Sequence, residues 1–358
     1  MSRAGTTTRN KAATLKDVAR LSGFAASTVS IALNGAPLAQ HLLPATVKQI
    51  KAAAKRLGYR PHESARSLVM RRSHSIGVVV IDLSDPYCML ILKGIDQQLQ
   101  KSGYLPLIMD AHNDREHFKQ CVDTLIERRV EGLIVVANWL FLDVAALREL
   151  PERHLPTVVV GRDLHRSQLP SVLVDNESGA YDACRHLFEL GHRDIAFLLG
   201  PTRIADSNSR WKGVQRFAAE AGLHIAPGLV HRMSNTADPL GGFAAGRAMT
   251  HELLETGLKM SAIVCFDDLT ALGAIRALDE RGKRVPRDCS VIGFDDVPMA
   301  SLSSPALTTI RQPMDEMGRF AAKSLLALCS GKARRTRAGV TLLAPEIVVR
   351  ASTAKIRP

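Results

Sequence analysis

From Leu15 the apolar positions recur at helical spacing: Leu15, Val18 and Ala19 share one face as far as Ser22, and Gly23 stops the helix. After a turn, Val29, Ala32 and Leu33 repeat the i, i+3, i+4 pattern up to Gly35. Two short helices joined by a Gly-led turn form a helix-turn-helix pattern. In that arrangement Ala26, Ser27, Thr28, Ser30, Ile31 and Asn34 occupy the outer face of the second helix, the face offered to a DNA major groove. A third amphipathic helix, Thr46 to Leu57, turns Val47, Ile50, Ala54 and Leu57 inward and Lys48, Lys51, Lys55 and Arg56 outward. Any pair of short helices in a core can show this spacing, so the pattern alone does not establish DNA binding. Gly58-Tyr59-Arg60-Pro61 is a breaker, and 62–72 is polar and basic apart from Leu68, Val69 and Met70. It reads as a linker with a short helix after Pro61, in which Leu68 is either a packing contact or a wedge for DNA.

From Ser75 the pattern changes to alternating strands and helices. Val/Ile-rich runs lie at 76–82, 105–111, 132–138, 157–163, 171–176, 195–200, 262–268, 290–296, 307–313 and 346–352. Helical patterns separate most of them, among them 89–103, 114–129, 178–191, 208–222, 269–282 and 315–331. About ten strands with helical crossovers imply an α/β core of two doubly wound parallel-sheet lobes.

A chain of 358 residues is too long for one compact core, and its 46% apolar and 23% charged composition is ordinary for globular proteins. No apolar run approaches the ~20 residues of a membrane-spanning helix, and the first 14 residues are polar, so no membrane and a cytoplasmic location are expected. The six cysteines lie at least 24 residues apart, without zinc-ligand spacing, and are expected as buried thiols; no metal or cofactor is expected. The net charge of +12 is concentrated. Residues 1–75 hold 13 Lys/Arg against Asp17 and Glu63, a balance of +11, whereas the remaining 283 residues carry 34 bases and 33 acids. A concentrated basic block suits a polyanion, because each neutralised phosphate releases condensed counterions; a solvated basic tail is the bland alternative.

Open parallel sheets bind ligands beyond the carboxyl ends of their strands. Asp85, Arg162, the pair Asp267 and Asp268, and the pair Asp295 and Asp296 fall at such ends. Any one of these Asp residues is equally suited to capping the next helix. Together they could converge on a polyhydroxylated ligand. Catalytic motifs are missing: there is no GxxxxGK[ST], no strand-linked GxGxxG, no HExxH and no GxSxG, so no enzyme activity is expected.

Thr14-Leu15-Lys16-Asp17-Val18-Ala19-Arg20-Leu21-Ser22-Gly23, followed by Ser27-Thr28-Val29-Ser30 and Leu33-Asn34-Gly35, resembles the DNA-binding headpiece of the lactose-repressor/galactose-repressor family. The resemblance continues in order through Leu57-Gly58-Tyr59-Arg60-Pro61, Asp175-Asn176-Glu177, Leu190-Gly191-His192-Arg193, Ala271-Leu272-Gly273-Ala274, Gly293-Phe294-Asp295-Asp296 and Arg311-Gln312-Pro313. It implies a homodimeric transcription regulator that binds a double-stranded DNA operator, expected to act as a repressor, with a periplasmic-binding-protein-like core and a sugar-type effector between its lobes. The DNA-binding positions it implies are Thr14, Leu15, Ala26, Ser27, Thr28, Ser30, Ile31, Asn34, Thr46, Tyr59, Arg66 and Leu68, with Leu68 as the minor-groove wedge. The effector positions are Asp85, Tyr87, Arg162, Arg210, Asp267, Asp295 and Gln312. The alternative is a sugar-binding protein without a DNA role.

The implied organisation is a flexible 1–13, a helix-turn-helix domain 14–58, a hinge 59–73, a core 74–352 and a short tail 353–358. Lobe one would comprise 74–174 and 313–340, and lobe two 175–310 and 341–352. Three departures from the family pattern stand out. Ile31 replaces a frequent Arg, exchanging a guanine-reading donor for a side chain suited to a thymine methyl. Ala25 replaces a Ser cap, and the loop 34–46 is longer than in the lactose repressor. Asp267 stands where Asn is common. No leucine heptads follow Ser352, so a dimer is expected rather than a coiled-coil tetramer.

Overall fold

The computed structural model describes residues 13–34, 37–59, 72–137, 153, 155–164, 168–234, 241–331 and 339–356, in two compact units divided after His74. In the first unit α1 (Leu15–Ser22), α2 (Ala26–Asn34) and α3 (Pro44–Arg56) enclose a small core of Val18, Val29, Ala32, Ile50, Ala53 and Ala54. A reciprocal capping box starts α1: Thr14 Oγ1 accepts from the Asp17 N–H at 3.4 Å, and Asp17 Oδ2 accepts from the Thr14 N–H at 2.9 Å. Gly23 ends the helix at φ +77°, its N–H bonded to Ala19 O at 3.0 Å. That left-handed position favours a residue without Cβ and lets α2 begin three residues later.

Pro44 opens α3 two residues before the sequence pattern predicts, since proline at the first helical position loses no intrahelical bond. Leu57, expected inward, is 36% exposed, and Ala53 occupies the buried face instead. Tyr59, expected to begin the hinge, packs against this core, with its N–H bonded to Ala54 O at 2.9 Å. Arg66 and Leu68 lie outside the described residues.

The second unit begins with β1 (Ser75–Val80), α4 (Pro86–Lys101), β2 (Leu105–Asp110), α5 (Arg115–Glu127), β3 (Leu133–Val136), β4 (Thr157–Val160) and β5 (Ser171–Val174). The chain then builds a second lobe from α6 (Asn176–Glu189), β6 (Ile195–Leu199), α7 (Ala205–Ala221), β7 (Val230–Arg232), α8 (Gly242–Glu255), β8 (Ala262–Cys265), α9 (Asp268–Glu280), β9 (Ser290–Asp295), α10 (Pro298–Leu302) and β10 (Thr308–Arg311). It returns to the first lobe for α11 (Met314–Cys329) and β11 (Val340–Leu343), and crosses once more to β12 (Glu346–Val348). The sheets run β11-β5-β4-β3-β1-β2 and β12-β10-β9-β8-β6-β7, parallel throughout except for β12 against β10. Nearly every residue of the central strands is buried, as expected of parallel strands covered on both faces.

Three expectations need correcting. Residues 341–343 pair with β5 in the first sheet, so the last lobe crossing falls after Leu343 rather than at 340. β7 and β11 are additional strands: β7 is a three-residue half-buried edge and β11 alternates exposed and half-buried positions, so neither shows a buried apolar run. The segment 353–356 is not a free tail. His186 Nε2 meets Thr353 Oγ1 at 3.0 Å, His192 Nε2 meets Ala354 O at 3.0 Å, and the Ile356 N–H donates to Leu190 O at 3.0 Å.

Helices cross closely where glycines face carbonyls. A Cβ at Gly94 of α4 would overlap Asp315 O, and one at Gly318 of α11 would overlap Ile91 O. The same reciprocity joins α8 and α9 through Gly246 and Gly273, which face Thr270 O and Phe243 O. Five of the six cysteines are buried and none forms a disulfide; burial pushes the Cys289 thiol up to about 12, an unreactive setting. No helix among the described residues is long and apolar enough to cross a membrane.

Candidate functional site

On the first unit, Ala26 and Ser27 at the start of α2 are exposed, Thr28, Ser30 and Ile31 are half-buried beside the buried Val29, and Asn34 closes the helix. Thr14 is exposed as the cap of α1. Leu15 and Tyr59 are half-buried against the core, and Thr46 is half-buried in the first turn of α3. Lys16, Arg20, Lys48, Lys51, Lys55 and Arg56 are exposed on the same unit. Arg20 meets Asp17 only at 3.8 Å with its side chain 83% exposed, a pairing too weak to withhold it from a phosphate. Small residues at the start of α2 are of a kind that can approach base edges closely, and exposed cations are of a kind that can meet phosphates.

On the second unit the lobes face each other across a cleft of about 270 Å³, lined by Gly161 and Asp163 of the first lobe, Asp175 and Glu177 at the crossover, and Asp206 and Lys212 of α7. At Tyr87 and Asp206 it adjoins a recess of about 20 Å³ that also includes Arg210, Phe266, Asp267, Asp295 and Gln312. Five of the seven expected effector residues are therefore brought together: Tyr87, Arg210, Asp267, Asp295 and Gln312.

The other two expected residues lie outside the recess. Asp85 caps α4, accepting the Tyr87 N–H at 3.0 Å, and so positions the ring rather than lining the recess. Arg162, just beyond β4, is half-buried; burial lowers its pKa, and the nearby Asp206 pulls it back up.

Arg210 is buried and held on every side. Its Nε donates to Asn176 Oδ1 at 2.8 Å, Nη1 to Phe266 O, and Nη2 to Asp295 Oδ1 at 3.4 Å. Its guanidinium stacks on Phe294, 3.6 Å from the ring centroid, and on Phe266 at 4.7 Å. Asp295 ends β9 at φ +121°, a strained backbone for a residue with a Cβ, of the kind that accumulates at functional sites. Gln312, at the crossover after β10, donates through Nε2 to Asp295 Oδ1 at 2.5 Å.

Asp267 also caps α9, its Oδ1 accepting the Thr270 N–H at 2.7 Å and hydroxyl at 2.6 Å. Burial raises the pKa of Asp267 and Asp295, that of Asp295 well above the carboxylate range, while Arg210 opposes both shifts. Behind them Asp268, fully buried, accepts from Val297 N–H at 2.8 Å and Thr309 Oγ1 at 2.5 Å, and burial lifts it to about 8. This set can grip vicinal hydroxyls, with guanidinium donors and carboxylate acceptors side by side.

Residues 14–62 match the family described as bacterial regulatory proteins, lacI family, and residues 184–353 match a periplasmic binding protein-like domain. The chain is 33% identical over 344 residues to the HTH-type transcriptional repressor CytR of Escherichia coli (strain K12), covering 96% of each. It belongs to the lacI family of bacterial regulatory proteins. The HTH-type transcriptional regulator GalR of Escherichia coli (strain K12) is 33% identical over 320 residues, covering 89% of this chain and 90% of GalR. Among solved structures, the lac repressor dimer bound to operator and the anti-inducer ONPF aligns with TM-score 0.82 at 29% identity, covering 96% of this chain and all of that one. The CelR–cellobiose complex aligns with TM-score 0.70 at 29% identity, covering 95% and 99%.

This lacI-family chain is thus a DNA-binding transcription regulator and not an enzyme, and the reading as a sugar-binding protein without a DNA role is set aside. Around Arg210 and the recess, Asn176, Asp206, Phe266 and Phe294 escaped the sequence reading, as did Gly161, Asp163 and Lys212 of the adjoining cleft. Asn176 and Phe294 sit inside the family motifs 175–177 and 293–296, a usable signal. Asp206 was hidden because α7 was expected to begin near 208, whereas it begins at Ala205.

Proposed function

We propose that this protein is a cytoplasmic repressor, acting as a homodimer on an operator duplex, whose DNA affinity is set by a small sugar-type effector held between the lobes. The observation that carries this reading is the shared recess: Tyr87 of the first lobe and Arg210, Asp267 and Asp295 of the second line one space. A ligand filling it touches both lobes and favours one lobe arrangement over others, which couples the cleft to the spacing of two DNA-binding units. The cellobiose bound by CelR and the ONPF bound by the lac repressor support a sugar-type ligand for a relative of this kind.

At the operator, Ala26, Ser27, Thr28, Ser30, Ile31 and Asn34 are the base-reading positions, with Thr14, Leu15, Thr46 and Tyr59 flanking them. Arg66 and Leu68 are assigned to the minor groove. Because a ligand that binds only the folded state raises the melting temperature, a thermal-shift screen of sugars, followed by duplex binding with each stabilising sugar, tests the proposal. It fails if no sugar stabilises the protein, or if a stabilising sugar leaves DNA affinity unchanged.

A further inference from the structure

The recess offers a ligand far more acceptors than donors. Asp206, in the first turn of α7, lines both recess and cleft, yet its carboxylate makes no hydrogen bond or ion pair among the described residues. Gln312 is 4% exposed, its Nε2 is committed to Asp295, and its Oε1 has no partner. Asp295 receives both its bonds, from Arg210 and Gln312, on Oδ1, leaving Oδ2 for a ligand. Arg210 commits one N–H each from Nε, Nη1 and Nη2 to Asn176, Phe266 and Asp295, which leaves a single donor on each terminal nitrogen.

We infer that the inner end of the effector is an uncharged polyol rich in hydrogen-bond donors, and that Asp206 is a specificity-determining residue that excludes phosphate and carboxylate groups from the recess. This rests on the sugar-type reading above and narrows it. Asp206 and the Gln312 Oε1 are acceptors awaiting donors. A phosphate or carboxylate oxygen there would set acceptor against acceptor and leave all of them unsatisfied. It would also meet the carboxyl groups of Asp206 and Asp267 at close range, with Arg210 and Arg162 offsetting only part of their charge, in a setting where charges are poorly screened. Burial raises the pKa of Asp206, and Arg210 and Arg162 pull it back toward the ionised form in which it accepts. The same two guanidiniums offset much of the negative charge, so a hydroxylated neutral group fits better than a cation.

The test uses the full-length chain and matched probes in calorimetry: D-glucose, D-galactose, D-ribose and cellobiose, against glucose 6-phosphate, galactose 6-phosphate, ribose 5-phosphate and D-glucuronate. The expected result is that at least one neutral sugar binds and its anionic counterpart binds at least tenfold more weakly. Asp206→Asn, which keeps the shape and removes the charge, should reduce that discrimination at least threefold. Asp206→Glu, read alongside it, should retain the discrimination. Equal or tighter binding of the anionic member, or discrimination untouched in Asp206→Asn, overturns the inference and leaves the sugar-type reading standing. Binding by none of the probes overturns both.

Discussion

The guanidinium of Arg210 lies 3.6 Å from the centre of the Phe294 ring while its Nη2 reaches the carboxylate of Asp295, the next residue in the chain, at 3.4 Å. The last two residues of β9 thus hold one arginine from its face and its edge. Lysine cannot reproduce a planar stack and a three-way fork. Arg210→Lys and Arg210→Ala should each weaken effector binding at least about tenfold, since an unpaired buried polar partner costs about 1–3 kcal/mol. Calorimetry with the stabilising sugar reads the loss, and ligand-free duplex binding should persist. Wild-type ligand affinity in either variant would remove Arg210 from the site.

Gly213 of α7 faces the Glu177 carbonyl so closely that an added Cβ would overlap it. Gly213→Ala should therefore destabilise the core by about 1–3 kcal/mol, the range seen when a packed interface is overfilled. Thermal unfolding measures this, and an unchanged melting temperature would mean that α6 and α7 separate easily.

Much of this architecture is legible in the amino-acid order because it rests on local rules. Gly23 stops α1 by backbone chemistry that the spacing reveals, whereas the Thr14–Asp17 capping box lies inside a family motif and emerges only in the folded geometry. Asp295 and Gln312 are legible as strand-end residues in family motifs. Asp206 is not, because its role depends on two lobes being folded against each other, which periodicity does not encode. The docking of 353–356 is likewise invisible beforehand, since it rests on polar bonds from His186, His192 and Ser290 rather than on an apolar pattern.

Asp268 gives the protein an unusual pH dependence. Its folded pKa of about 8 exceeds the ordinary carboxylate value of 3.8, so between these limits the folded state binds more protons than the unfolded state. Its contribution to stability is greatest below pH ~4, falls by up to about 1.4 kcal/mol per pH unit through the interval, and levels off above about 8. Asp268→Asn, which can still accept from Val297 and bond Thr309, should flatten this slope. Chemical denaturation across pH 5–8 compares the two proteins, and identical slopes would show that Asp268 is ionised throughout.

Thr14→Ala removes one half of the capping box and should cost about 1 kcal/mol in the N-terminal unit. The basic block on that unit makes duplex binding salt-sensitive: with roughly 6–10 phosphate contacts per dimer, affinity should fall by about 10³–10⁵ between 50 and 200 mM salt. Thermal unfolding reads the first and fluorescence anisotropy on a selected duplex the second, and flat salt dependence would deny the basic block its role.

The most direct test of the coupling between cleft and DNA is the duplex affinity of the full-length protein with and without its stabilising sugar, in wild type and in Arg210→Ala. The sugar is expected to change wild-type affinity by about 5–150-fold, the usual range of allosteric coupling, and to leave Arg210→Ala at the ligand-free value. An effect of equal size in both proteins, or none in the wild type, would contradict it.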